Sequence, residues 1–365
     1  MDTPRKHNFF AGPAVLPESS IKKAQEALWN FAGTGAGILE ISHRDKAFDA
    51  VLEDTKVRAK RLYNIPEDYE VIFVQGGASM IMAMISMNFI HEGDKAQFID
   101  TGTWASRAIK EAKRSKGNVE VLWSGKDTNY TYLPDLNTLK FDDDACLVHM
   151  CVNNTIRGTE FPDFPRIKAP LFADMSSDFF SRPINVKDFA FIYGGVQKNL
   201  GPSGCAMCIV RKDLLARVPE NLSEMLSFRK YVEENSIYNT PPVFTIYMID
   251  LAFQWLEEEI GGLGNMQKIN QEKAALLYDL FDASEGFYRP TVTVKEHRSL
   301  MNITFRLPSE ELETKILAEA KPHGFLGLKG HRSVGGLRAS TYNACPTESV
   351  RLLAEFLDKF MKANR

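Results

Sequence analysis

The sequence predicts an α/β fold, with a large unit on a mostly parallel sheet flanked by helices and a smaller C-terminal α/β unit. Three observations predict it. Over the first two-thirds of the chain, short apolar runs alternate with stretches of helical periodicity, the pattern of crossover units that yield parallel strands covered on both faces. After about Pro242 this rhythm changes to two long helical stretches followed by a second, shorter set of strands and helices. The 365 residues suit about two domains at roughly 150 residues each. A chain of this size buries on the order of 75% of its unfolded surface, so it needs neither disulfides nor a structural metal. The division is expected at 1–260 and 261–365, with the N-terminal segment packing on either part.

Each element has a local reason. After Pro17, Ser19 or Ser20 can cap a helix with Ile21, Ala24, Leu28 and Phe31 on one face. Phe48, Val51, Leu52, Ala59 and Leu62 recur at helical spacing and predict a second amphipathic helix. Strands are expected over 71–74, 96–99, 119–123, 146–152, 171–173, 189–193 and 206–210, with helices over 80–90 and 106–116. Beyond Pro242, helices are expected over 244–259 and 266–281, then strands over 292–294, 302–306 and 336–340, with helices near 312–321 and 350–361. In such sheets ligands sit beyond the carboxyl ends of the strands, so residues just after each strand carry the most interest.

Composition narrows the function classes. Lys+Arg number 44 against 47 Asp+Glu, so no charge excess points to nucleic acid or an anionic membrane, and small molecules are the expected partners. Five cysteines do not make the pattern of a stapled secreted domain. Cys205 and Cys208 form a C-x-x-C in an apolar run with no second pair to complete a zinc site, so buried thiols and no metal are expected. The stretch Met1-Asp2-Thr3-Pro4-Arg5-Lys6-His7 lacks an apolar signal core. The apolar run over 80–90 is broken by Ser86 and Asn88 and is too short to span a bilayer. A soluble, cytoplasmic protein is the expectation.

Chemistry gathers at the strand ends. One apolar run ends at Gly194-Gly195, presents Gln197 and Lys198, and is followed by Gly201-Pro202-Ser203-Gly204. Gly and Pro hold an irregular backbone there. A lysine so placed and partly desolvated has a lowered amine pKa, which suits imine formation; alone, it reads more readily as a surface lysine in a glycine loop. Asp174 ends the run Leu171-Phe172-Ala173, where it can cap the turn through Ser176 and Ser177 or pair with a pyridinium nitrogen. Together, Asp174 and Lys198 on successive strand ends describe a pyridoxal-phosphate site. Gln75-Gly76-Gly77-Ala78-Ser79 is a glycine turn between strand and helix, an anion site through open N–H groups and the helix dipole. Gly33-Thr34-Gly35-Ala36-Gly37 follows a helix and is a loop. Trp104 can stack on a cofactor ring or sit in the core, and Thr155 can donate to a ring hydroxyl or serve a turn. Thr240, in Asn239-Thr240-Pro241-Pro242, can cap a helix or bind phosphate.

Further segments complete a pattern. They are Asn8-Phe9-Phe10-Ala11-Gly12-Pro13-Ala14, Ser42-His43-Arg44, Gln197-Lys198-Asn199-Leu200-Gly201-Pro202, Tyr238-Asn239-Thr240-Pro241-Pro242 and Gly330-His331-Arg332-Ser333-Val334-Gly335-Gly336-Leu337-Arg338-Ala339-Ser340. In this order and over this length, the chain resembles the phosphoserine aminotransferases, a class-V family of fold-type-I pyridoxal-phosphate enzymes. The resemblance implies a homodimer with shared active sites, working on L-glutamate and 3-phosphohydroxypyruvate to give O-phospho-L-serine and 2-oxoglutarate in serine biosynthesis. It leaves open a phosphorylated hydroxythreonine of pyridoxine biosynthesis as a further substrate. It implies Lys198 as the aldimine lysine, Asp174 at the pyridine nitrogen, Trp104 over the ring and Thr155 at its hydroxyl. It also implies Ala78, Ser79 and Gln197 at the cofactor phosphate, joined by Asn239 and Thr240 of a neighbouring subunit. Some relatives carry arginine where Ser79 stands. Arg338 is implied at the substrate α-carboxylate, with His43, Arg44, His331 and Arg332 around the substrate phosphate or the glutamate side chain. Arg157 matches nothing in the pattern and has no role assigned. The rivals are a cysteine desulfurase using Cys345, another small-amino-acid aminotransferase, and a nucleotide-binding protein without transaminase activity.

Overall fold

The computed structural model describes residues 5–365; the first four residues of the polar N-terminal stretch lie outside the described residues. The chain begins with β1 (His7–Asn8), α1 (Glu18–Trp29) and α2 (Lys46–Tyr63). Alternating units follow: β2 (Tyr69–Gln75), α3 (Ala78–Phe89), β3 (Lys95–Asp100), α4 (Thr103–Ala112) and β4 (Asn118–Ser124). Adding β5 (Leu147–Cys151), β6 (Leu171–Asp174), β7 (Phe191–Gly195) and β8 (Cys205–Arg211) gives a seven-stranded sheet ordered β2-β8-β7-β6-β5-β3-β4. Only β8 in this sheet runs against the others, so the remaining six carboxyl ends share one edge.

Both faces of the sheet are buried except at its exposed edge strand β4, as its near-continuous apolar inner strands require. Val71 and Phe73 face one core with α1 and α2, while Ile72 and Val74 face the other with α3 and α4. The same alternation sends Cys205 and Cys208 to opposite faces, so they cannot form one site; all five thiols are free and buried. Among the described residues no cluster of His, Cys, Asp and Glu is placed to hold a metal, and no helix is long and apolar enough to cross a membrane.

The chain continues through α5 (Phe228–Glu233), α6 (Val243–Glu258) and α7 (Leu263–Ala283) to β9 (Arg289–Pro290), β10 (Asn302–Arg306), α8 (Glu310–Ala320), β11 (Phe325–Leu326), β12 (Leu337–Ser340) and α9 (Thr347–Asn364). β12, β10 and β9 form a small antiparallel sheet, and β1 pairs in parallel with β11. Phe9 and Val15 lie in the core that α7, β10 and α9 build, so the N-terminal segment packs there.

Three local expectations are corrected. No serine caps α1: Pro17 is its N-cap, and the Ser20 hydroxyl instead donates to the Leu251 carbonyl of α6 at 3.0 Å. That contact turns small Ala24 and Ala27 inward and leaves Leu28 exposed. Residues 292–294 are not a strand, because the Thr293 N–H donates to the Thr131 carbonyl rather than to β10.

Lys273 of α7 is fully buried and shares its donors among the carbonyls of Thr341, Tyr342, Asn343 and Cys345 at 3.0, 2.8, 3.3 and 3.3 Å. It pins the loop that follows β12. Lys273→Ala is expected to destabilise the chain by about 3–5 kcal/mol, because it empties volume and strands these carbonyls. A lowered urea midpoint with unchanged m checks this; a loss below about 1 kcal/mol contradicts it. Burial lowers this amine from 10.5 to about 8, so between those values the folded chain binds fewer protons than the unfolded chain. Lys273 therefore makes stability rise with pH across that window.

Candidate active site

The loop after β7 is held from three sides. The Gly195 N–H donates to Ser176 Oγ at 3.1 Å, the Val196 N–H to the Cys205 carbonyl at 3.2 Å, and the Gln197 carbonyl accepts from the Ala14 N–H at 3.0 Å. Lys198 is thereby presented inward. It is buried, and its Nζ donates to Thr155 Oγ1 at 2.7 Å. Burial pulls its amine below the ordinary lysine value; nearby Asp174 and Cys151 oppose that shift, and the positive charge of Arg338 adds to it.

Asp174 closes β6. Its Oδ1 accepts from the Ser176 N–H at 2.9 Å and the Ser176 hydroxyl at 2.6 Å, and no described residue donates to Oδ2. Turn capping thus occupies one oxygen of the carboxylate and leaves the other open. Burial raises this carboxyl above its usual value, while Ser176 and the Lys198 charge draw it down.

Trp104 follows β3. Gly102 has φ +138°, and a Cβ there would strike the Asn154 side-chain amide, so only glycine lets α4 start at this angle. The indole Nε1 is buried without a partner among the described residues, and Lys198 Nζ lies 5.9 Å from the ring centroid. After β2, Gly76 turns at φ +99° and α3 starts at Ala78 with no side-chain cap and no acid in its first turn. The Ala78 and Ser79 N–H groups donate to no described backbone acceptor, which leaves an open anion cradle.

Ala78, Ser79, Trp104, Thr155, Asp174, Gln197 and Lys198 line one cavity of about 250 Å³. Cys151, Asn153, Ser176 and Ser177 line it too, and sequence reasoning gave them no place in a site. Ser176 and Ser177 carried a signal, since they directly follow Asp174. Asn153 carried none: its amide donates to Ser177 Oγ and Asn302 Oδ1 (both 2.8 Å), a junction that only the fold creates.

Arg338 reaches the cavity edge from β12, where its Nη1 donates to the Thr155 carbonyl at 2.9 Å and its buried Nε has no described partner. Burial lowers the half-buried His331 below the usual imidazole value, and the positive charges of Arg338, Arg332 and Arg157 add to the shift. The three arginines thus form one cationic rim beside a neutral His331, and that rim includes Arg157. His43 and Arg44 lie just before α2, and Asn239 and Thr240 just before α6; none of these four lines the cavity. Thr240 does not cap α6, whose N-cap is Pro242; its carbonyl accepts from the Gln75 amide.

The pattern of the family described as "Aminotransferase class-V" matches residues 7–353. The chain is similar to a phosphoserine aminotransferase of Desulfosudis oleivorans, with 51% identity over 99% of each chain. Among solved structures it is similar to the phosphoserine aminotransferase from Bacillus circulans subsp. alkalophilus, with a TM-score of 0.96, 47% identity and 100% of each chain covered. It is also similar to the PLP-bound phosphoserine aminotransferase from Trichomonas vaginalis, with a TM-score of 0.91 and 36% identity over 98% of this chain and 100% of that one.

Proposed function

The chain belongs to the class-V aminotransferase family, and we propose that it moves the amino group between L-glutamate and 3-phosphohydroxypyruvate, giving O-phospho-L-serine and 2-oxoglutarate in serine biosynthesis. The observation that carries the reading is the convergence of Lys198 Nζ, the open oxygen of Asp174 and the uncapped start of α3 on one cavity. That donor set fits pyridoxal phosphate part by part: an amine for the aldehyde, a carboxylate for the ring nitrogen, an indole for the ring and N–H groups for the phosphate. When bound, the cofactor supplies a carrier for the amino group and an electron-poor ring that stabilises a carbanion at the substrate Cα.

The protein's own groups do the rest. Lys198 Nζ, its basicity lowered by burial, takes the proton from Cα and returns it, while Thr155 Oγ1 holds the amine in position. Ser176 fixes Asp174 through Oδ1, which leaves Oδ2 open to pair with the ring nitrogen that pyridoxal phosphate would bring. Trp104, which lines the cavity, would cover the ring of bound cofactor and exclude water. The Arg338 fork takes the substrate α-carboxylate, and His331 and Arg332 take the substrate phosphate or the glutamate side chain.

A homodimer with shared sites accounts for the residues that lie outside the cavity. A second copy supplies His43, Arg44, Asn239 and Thr240, and covers apolar surface such as Trp29 and Leu39, which are 88% and 65% exposed in a single chain. The desulfurase rival loses support, because Cys345 is buried and its thiol is pushed up to about 11. A phosphorylated hydroxythreonine presents the same phosphate and α-carboxylate and remains a second substrate.

The test is a coupled assay of the cofactor-loaded chain with glutamate and 3-phosphohydroxypyruvate. Production of 2-oxoglutarate is expected; no turnover contradicts the reading. Arg332→Ala is expected to cut kcat/KM for O-phospho-L-serine by about 10- to 100-fold while leaving alanine turnover intact, because only the former carries a phosphate. Equal losses for both substrates would point to a non-phosphorylated substrate.

A further inference from the structure

We propose that Arg107, on α4, is an ionic ligand of the cofactor phosphate, acting beside Ser79; the inference rests on the cofactor reading above. Arg107 Nη1 donates to Ser79 Oγ at 2.8 Å, at the open N-terminus of α3. Its guanidinium also lies 5.0 Å from the Trp104 ring centroid. Two contacts on different elements thus fix an otherwise exposed arginine at the edge of the cradle.

Among the described residues no carboxylate pairs with Arg107. Glu111, one helical turn further along α4, is bonded to Arg114 instead, at 2.7 Å. A neutral hydroxyl is a weak return for immobilising a charged, rotamer-rich side chain. An anion on the same hydroxyl is a strong one, since Ser79 Oγ can accept from Arg107 and donate its own proton to the anion.

The charge balance points the same way. Ala78, Ser79 and Gln197 offer neutral donors only, and Lys198 is committed to Thr155. Arg107 is the formal positive charge placed against this end of the cavity by a described contact, and its planar fork matches phosphate oxygens.

The test titrates the full-length chain, freed of cofactor, with pyridoxal phosphate and separately with pyridoxal, which lacks the phosphate. Tryptophan fluorescence and the absorbance of lysine-bound cofactor both report binding. Arg107→Gln is expected to weaken pyridoxal phosphate by about 10- to 100-fold and to leave pyridoxal within about twofold. Arg107→Lys, which keeps the charge, is expected to recover most of the loss. Pyridoxal phosphate affinity within about twofold of the parent chain overturns the proposal. So does an equal loss for both compounds, which places Arg107 on Trp104 rather than on phosphate. Failure of the parent chain to bind pyridoxal phosphate overturns the cofactor reading itself.

Discussion

Lys198→Ala is expected to lower kcat for amino transfer by at least about 10⁴-fold while the chain stays folded. In the proposed assignment one group serves as both the cofactor's attachment point and the mobile base, so no neighbour can replace it. Thr155 loses its donor but stays tied to the fold through its carbonyl, which Arg338 holds at 2.9 Å. Stopped-flow measurement of the half-reaction with glutamate separates this loss from slow product release. Partial rescue by a small primary amine is expected, because the cavity then has room for a replacement base. A variant that retains more than about 1% of parental kcat would contradict the assignment. Burial also predicts a pH effect. The unprotonated amine is populated at lower pH than a surface lysine's, so the acid limb for cofactor capture lies below the ordinary value of 10.5.

Asp174→Asn is expected to cut kcat by about 10²–10³-fold, the scale of losing one preorganised electrostatic partner. The substitution keeps the side chain's shape, and the amide oxygen can still accept from Ser176. In the proposed assignment the charge that would pair with the ring nitrogen is lost, so that nitrogen would no longer hold its proton and the ring would withdraw electrons poorly. Burial disfavours this carboxylate, and hydrogen bonds from Ser176 and the charge of Lys198 oppose that shift. Ser176→Ala is therefore expected to show a smaller loss of the same kind, with its acid limb at higher pH. Steady-state kcat across pH for both variants checks the pair, and a kcat for Asp174→Asn within about threefold of the parent would contradict it.

Much of the architecture was legible because buried strands leave an apolar run bounded by turns. The run over 71–74 became β2 at Tyr69–Gln75, and that over 206–210 became β8 at Cys205–Arg211. Direction was not legible: β8 opposes its neighbours, and apolar periodicity carries no information about which way a strand runs. The pairing of β1 with β11 is two residues long and joins segments some 300 residues apart, too short and too distant to leave a pattern. Ser20 was misread because a serine at a helix start looks like a cap until a second helix offers it a carbonyl.

The site divides in a similar way. Lys198, Asp174 and Gly76-Gly77 were readable from strand–turn context, since each sits where a crossover unit delivers its ligand-facing residues. The cationic rim was not readable from context. Arg338 reaches Thr155 only because β12 lies beside β10, and an isolated arginine in a glycine-rich segment defaults to the surface. The family resemblance supplied Arg338, Arg332 and His331, but not Arg157. Arg107 escaped both routes: on α4 it is an exposed helix position, and its meaning comes from a contact with Ser79 on another helix.

The most direct measurement is borohydride reduction of the cofactor-loaded chain, followed by peptide mass spectrometry. The account predicts a pyridoxyl-phosphate mass increment on the peptide carrying Lys198 and on no other peptide. A loaded chain in which Lys198 is unlabelled, or in which a different lysine carries the increment, would contradict it.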